Sequence, residues 1–164
     1  MPSYPFLSPR PRHAAGLSPP APGAPATPLV LGAALLLAFA PARAGELVVI
    51  VSARSPVTTL RADQVADIFL GQACQFPGGA RAVALDQRLG TPLRDQFYAR
   101  IADKTAPLLR AYWSRRLFMG EGQPPAEANG SAAVRARVAR DPALIGYIER
   151  SALDASVRPV LVVH

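Results

Sequence analysis

The chain has 164 residues, half of them apolar, with 18 basic and 11 acidic side chains and a net charge of +7. Its one cysteine, Cys74, excludes an internal disulfide, and His13 and the terminal His164 are too few to build a zinc or soft-metal site or to pair with a thiol nucleophile. The basic balance leaves nucleic acid, acidic lipid or a small anion as partner classes.

The first 44 residues read as an export leader. Nine prolines fall in the first 28 residues, a density that no packed element tolerates. Arg10, Arg12 and His13 form a basic start, and Leu29 to Ala40 is an uncharged run of 12 residues. A membrane-spanning helix needs about 20. Ala42 and Ala44 supply the small-x-small pattern of a cleavage site, here after Ala44. An uncleaved membrane anchor is the alternative. Cys74 lies far beyond the run, so it is not a lipid-attachment cysteine. Export places the mature part, residues 45–164, in the periplasm and removes nucleic acid from the expected partners. Three arginines leave with the leader, so the mature part carries 15 basic and 11 acidic residues, a charge of +4. Its length suits one small domain with one core.

Leu47 to Val51 is an unbroken β-branched run, the pattern of a strand buried on both faces. Ser52 to Thr59 reads as loop. Val65, Ile68 and Phe69 lie on one face of a helix over about 61–70, with Gly71 as its stop. Phe76 to Gly79 is a turn, and Ala82 to Leu85 a second short strand. Thr91-Pro92 opens a helix with Leu93, Phe97 and Ile101 on its inner face. Thr105-Ala106-Pro107 opens another, in which Leu109, Tyr112, Trp113 and Leu117 form the expected buried stripe up to Gly120. Gly122 to Pro125 is loop. Asn129-Gly130-Ser131 caps a further helix with Val134 and Val138 inward, and Asp141-Pro142 ends it. Ile145 to Ile148 and Val157 to Val163 are the last strands. This alternation predicts an α/β three-layer sandwich on a mixed, mainly parallel sheet.

Paired carboxylates, a Ser-His-Asp pattern, a phosphate loop and metal-ligand spacings are all missing from the sequence, so no catalysis and no cofactor are expected. What remains are helix starts, whose unpaired N–H groups and partial positive charge attract anions. Arg88-Leu89-Gly90-Thr91 with Arg94 combines a glycine, a hydroxyl and two guanidinium groups. Asn129-Gly130-Ser131 is a second start of that type. The structural alternative is that Thr91 and Ser131 are simply N-caps.

Several segments together resemble the phosphate-binding proteins of ABC transporters, of the type 2 periplasmic binding-protein kind. They are Leu60 to Gly71 with its Ile68-Phe69-Leu70-Gly71 ending, Gly90-Thr91 opening a helix, Asn129-Gly130-Ser131, and Ala143-Leu144-Ile145-Gly146-Tyr147-Ile148. The resemblance runs from about Leu47 to Glu149 and covers what looks like the second of that family's two lobes. The family's anion loop reads Arg-Ser-x-Gly-Ser-Gly-Thr; here Leu85 to Thr91 keeps Gly90 and Thr91, has Leu89 in place of a serine, and has no arginine in the family's place. The resemblance implies a ligand, inorganic phosphate or a similar oxyanion, met by Arg88, Gly90, Thr91 and Arg94, with Ser52, Ser55 and Ser131 as further donors. It also implies a transport partner in the membrane. A single lobe leaves the anion open to water, and a homodimer or an envelope partner would restore closure. Tyr112 or Trp113 on an exposed wall would speak for the dimer, whereas their spacing fits the buried stripe. A second function class stays open: a degenerate lobe that acts as an envelope protein–protein interaction module without ligand.

Overall fold

The computed structural model describes residues 45–164. The expected signal segment and its cleavage site lie outside the described residues. Among the described residues, no helix is long and apolar enough to cross a membrane.

The elements follow the expected alternation: β1 (Leu47–Ser52), α1 (Ala62–Phe69), β2 (Val83–Gln87), α2 (Pro92–Ile101), α3 (Ala106–Phe118), β3 (Ala126–Ala128), α4 (Gly130–Arg140), β4 (Leu144–Glu149) and β5 (Val157–Val163). They build one sheet in the order β3-β2-β4-β1-β5. The sheet is mixed, with parallel and antiparallel pairs in equal number. β2 is parallel to β3 and β4, and β1 is antiparallel to β4 and β5.

Every residue of β1 is buried because both faces of the sheet are covered. Leu47, Val49 and Val51 join Ala84, Ile145, Tyr147 and the apolar faces of α1, α2 and α3 in one core. Val48, Ile50, Leu85 and Ile148 point the other way and pack with Val134 and Val138 of α4 in a second core. The period-two alternation of strand side chains thus sorts one apolar run into two cores and makes the three layers. β5 forms an edge and carries Pro159, where a missing N–H is tolerated.

Two glycines fix local geometry. Gly71 ends α1 at φ +68, as expected of a C-terminal stop. Gly146 serves a different purpose: a Cβ there would meet Val134 Cγ1 at 2.5 Å, so its hydrogen lets α4 lie against β4. An aromatic cluster fills the first core, with Phe97 stacked on Tyr147 at 3.8 Å between centroids and Phe69 edge-on to Phe97 at 4.7 Å.

The expected stripe on α3 holds in part. Leu109 and Trp113 are buried and Tyr112 is half-buried, but Leu117 is exposed, as are Phe118 and Met119 after it. The last turn of α3 therefore turns its apolar side chains largely to solvent. β3, in the stretch next to the expected loop, is a finding of the structure; Ala126-Glu127-Ala128 has little strand propensity and is recruited by pairing with Leu85–Gln87.

Candidate functional site

β2 is the strand at which the sheet's connections part. The chain leaves it through α2 and α3 on one face to reach β3 on one side, and returns through α4 on the other face to β4 on the other side. In open α/β sheets such a reversal leaves a crevice outside the carboxyl ends of the strands, where ligands bind. Residues 88–91 lie there, between the end of β2 and the first turn of α2.

The end of β2 is anchored by a buried polar knot. Asp86 is 1% exposed, and its Oδ2 accepts hydrogen bonds from Arg94 Nε at 2.9 Å and Tyr98 OH at 2.9 Å. Its Oδ1 accepts from the Gln87 N–H at 2.8 Å and from the Tyr147 hydroxyl. Four donors fill the acceptor capacity of a carboxylate, so Asp86 has no lone pair left to act as a base. Arg94 and Tyr98 are four residues apart on α2, hence on one helix face, with the guanidinium 5.2 Å from the Tyr98 ring centroid. Burial opposes the charge on Arg94, but the Asp86 carboxylate outweighs it and raises the guanidinium pKa above its ordinary value. Burial first, and then the Asp86 charge, raise the Tyr98 and Tyr147 phenols well above theirs.

Beside this knot is a cavity of about 250 Å³ between residue 89 and α3. Arg94, Arg110, Ser114 and Glu127 contribute its polar wall, and Leu109, Trp113 and Leu117 much of the apolar one. Arg94 is only 5% exposed, yet its two terminal nitrogens have no acceptor among the described residues. Among the described residues, the buried side-chain polar atoms left without a partner are Trp113 Nε1 and Arg116 Nε, so the terminal nitrogens of Arg94 are not sealed. An orphaned buried N–H such as that of Trp113 costs about 1–3 kcal/mol.

The residues expected to bind an anion divide by place. Gly90 sits at φ +80 with open space where a Cβ would be, and Arg88 is exposed beside it. Thr91 is the N-cap residue by backbone conformation, but its hydroxyl makes no cap bond; it donates to Arg88 O at 2.9 Å. The Leu89 N–H donates to Glu127 Oε2 at 3.2 Å, so a side chain of the protein occupies that amide. Ser131 stands at the same end of the sheet on the other face, its Oγ accepting from the Glu149 N–H at 3.2 Å. Ser52 and Ser55 are not brought to this site. Val51 is level with Ile145, and so is Ala84, while β2 continues the opposite way to Gln87. Both serines therefore lie at the far end of the sheet, where Ser52 Oγ donates to Ala139 O and Ser55 Oγ accepts from the Val57 N–H. Tyr112 and Trp113 do not form an exposed wall; the Tyr112 hydroxyl donates to Leu70 O at 2.8 Å.

Asp86, Tyr98, Tyr147, Arg110, Ser114 and Glu127 are site residues that the sequence reading did not single out. The available signals were the i, i+4 spacing of Arg94 and Tyr98 and the single acid at the end of an apolar run. No group of His, Cys, Asp and Glu able to hold a metal occurs among the described residues.

No protein-family model and no curated protein matches the chain. Solved structures do. A phosphate ABC transporter substrate-binding protein from Clostridium perfringens, crystallised with bound phosphate, is 23% identical with a TM-score of 0.57. An ABC-type phosphate transport receptor from Vibrio cholerae is 17% identical with a TM-score of 0.55, and PstS from Borrelia burgdorferi 13% with 0.54. Each match covers 71% of this chain and 44–46% of the other, so the chain spans less than half the length of these neighbours. The carboxyl-end crevice, the mixed five-stranded sheet and this half-length match together identify the fold as that of a single lobe of a periplasmic binding protein.

Proposed function

We propose that the domain is an exported, non-catalytic solute-binding module that takes a small oxyanion at the carboxyl end of β2, with residues 1–44 serving as a cleaved signal. The observation that carries this reading is Arg94: a guanidinium held in place by Asp86, almost fully buried, with terminal N–H groups left unpaired beside a cavity. A preorganised, charge-assisted donor of this kind is what anion recognition needs. Arg88, Gly90 and Thr91 form the adjoining loop and contribute charge and backbone, with Ser131 at the same end. Phosphate, the ligand named for the structural neighbours, is the reference anion, and delivery to an ABC-type transporter is the corresponding role. Calorimetric titration of the purified protein with phosphate, sulfate and short carboxylates tests this. Saturable heat with at least one of them is expected, weakened by Arg88→Ala; no heat and no thermal shift with any of them at millimolar concentration would remove ligand binding.

A second reading, an envelope interaction module without ligand, is favoured by two other observations. Glu127 occupies the Leu89 amide, and Leu89, Leu117, Phe118 and Met119 are exposed, Phe118 at 93%. A stable protein partner whose capture survives Arg88→Ala and Thr91→Ala would support it over the first.

A further inference from the structure

We infer that the cavity between residue 89 and α3 selects a small carboxylate with a compact apolar body. Arg94 and Arg110 take the carboxylate and Leu109, Trp113 and Leu117 take the body. This rests on the anion-binding reading above and narrows its ligand class.

The wall is two-sided in chemistry. Its cations sit on α2 and α3, while its apolar residues come from α3, from the loop at Leu89 and from Pro124 ahead of β3. A guanidinium presents paired N–H groups that match the two oxygens of a carboxylate. Arg94 offers that pair because Asp86 occupies only its Nε. Trp113 belongs to the same wall through its ring, since its indole nitrogen is buried. Inorganic phosphate fits this surface poorly. Its oxygens spread in all directions and need donors on every side, whereas the side chains of Leu109 and Leu117 have none and the Trp113 indole N–H is sealed from the cavity. Glu127 adds a negative charge that repels a dianion more than a monoanion. The volume of about 250 Å³ lies below the roughly 300–1,000 Å³ of sites for drug-sized ligands, so the body is short.

Glu127 leaves one ambiguity in the ligand's source. A bare short-chain acid and an apolar α-amino acid share the carboxylate and the body, and differ in an ammonium that Glu127 would welcome. 4-Methylpentanoate and leucine share a carbon skeleton and differ only in that group.

Trp113 is the single tryptophan of the chain, so its emission reports on the cavity directly. The purified protein is titrated with acetate, butanoate, 4-methylpentanoate, leucine and inorganic phosphate, following emission and melting temperature. Affinity is expected to rise about fourfold for each methylene buried, so the six-carbon skeleton binds at least tenfold tighter than acetate, and phosphate binds more weakly than that skeleton. Leu117→Asn, at an exposed position, is expected to flatten that dependence on chain length without lowering the melting temperature. Arg110→Gln is expected to weaken every carboxylate without disturbing the Asp86 knot. Leucine above 4-methylpentanoate supports the amino-acid form, and the reverse order supports the bare acid. Phosphate binding tighter than both would overturn the inference and leave the oxyanion reading standing. No response to any of the five would overturn both.

Discussion

Replacing Asp86 by alanine is expected to be the most damaging single change in the domain, because it strands charge rather than removing it. Arg94 would keep its positive charge at 5% exposure with its Nε unpaired, and the Tyr98 and Tyr147 hydroxyls would lose their acceptor. Breaking a buried pair from one side costs about 3–5 kcal/mol. A domain of this size has a total stability of about 5–15 kcal/mol. At roughly 3–5 °C per kcal/mol, the melting temperature should fall by roughly 10–25 °C. The instructive comparison is the double variant Asp86→Leu with Arg94→Met. It removes both charges and leaves apolar groups of similar volume, which are often as stable as a buried ion pair. It should therefore be more stable than Asp86→Ala despite carrying two changes. Urea unfolding followed by far-UV circular dichroism gives both free energies. A cost below about 1 kcal/mol for Asp86→Ala, or a double variant no better than the single one, would refute the idea that stranded charge governs the loss.

Gly146→Ala adds one methyl group where Val134 Cγ1 lies 2.5 Å and Val138 Cγ2 3.2 Å from the new atom, so overpacking should destabilise by about 1–3 kcal/mol in the same assay; a neutral result would mean that α4 can slide off β4. Alkaline stability carries its own signature. Tyr98 and Tyr147 titrate well above 10.0 in the folded state, so below that pH both states hold the protons and stability is unaffected. Above it, the unfolded chain releases two protons that the folded one keeps, so stability should fall by about 2.7 kcal/mol per pH unit. Phenolate absorbance rising for these two residues before the circular-dichroism transition would contradict their burial against Asp86.

The fold was largely legible in the sequence, and the site only in part. The β-branched run at Leu47–Val51, the Thr91-Pro92 and Thr105 helix starts, and the Gly71 stop each reflect a local rule, and each stands where expected. Local rules do not say which hydroxyl satisfies which amide. Thr91 and Thr105 hold the N-cap backbone conformation with no side-chain cap bond, and the Thr91 hydroxyl turns back to the Arg88 carbonyl instead. The reading that ended the second strand at Leu85 also hid the knot. β2 continues to Gln87, and that extension is what carries Asp86 into the core.

The sequence by itself determined the alternation of elements and the two-faced burial of β1. Those depend on side-chain periodicity and backbone sterics within a few residues. Only the tertiary structure decided that Asp86 would meet Tyr98, Arg94 and a tyrosine 61 positions away, and that the two serines would end up at the opposite end of the sheet from Gly90. Strand direction sets which ends come together. β1 runs antiparallel to β4, against the direction of β2, and a hydrogen-bonded register of that kind is a property of the assembled sheet, invisible in any one strand.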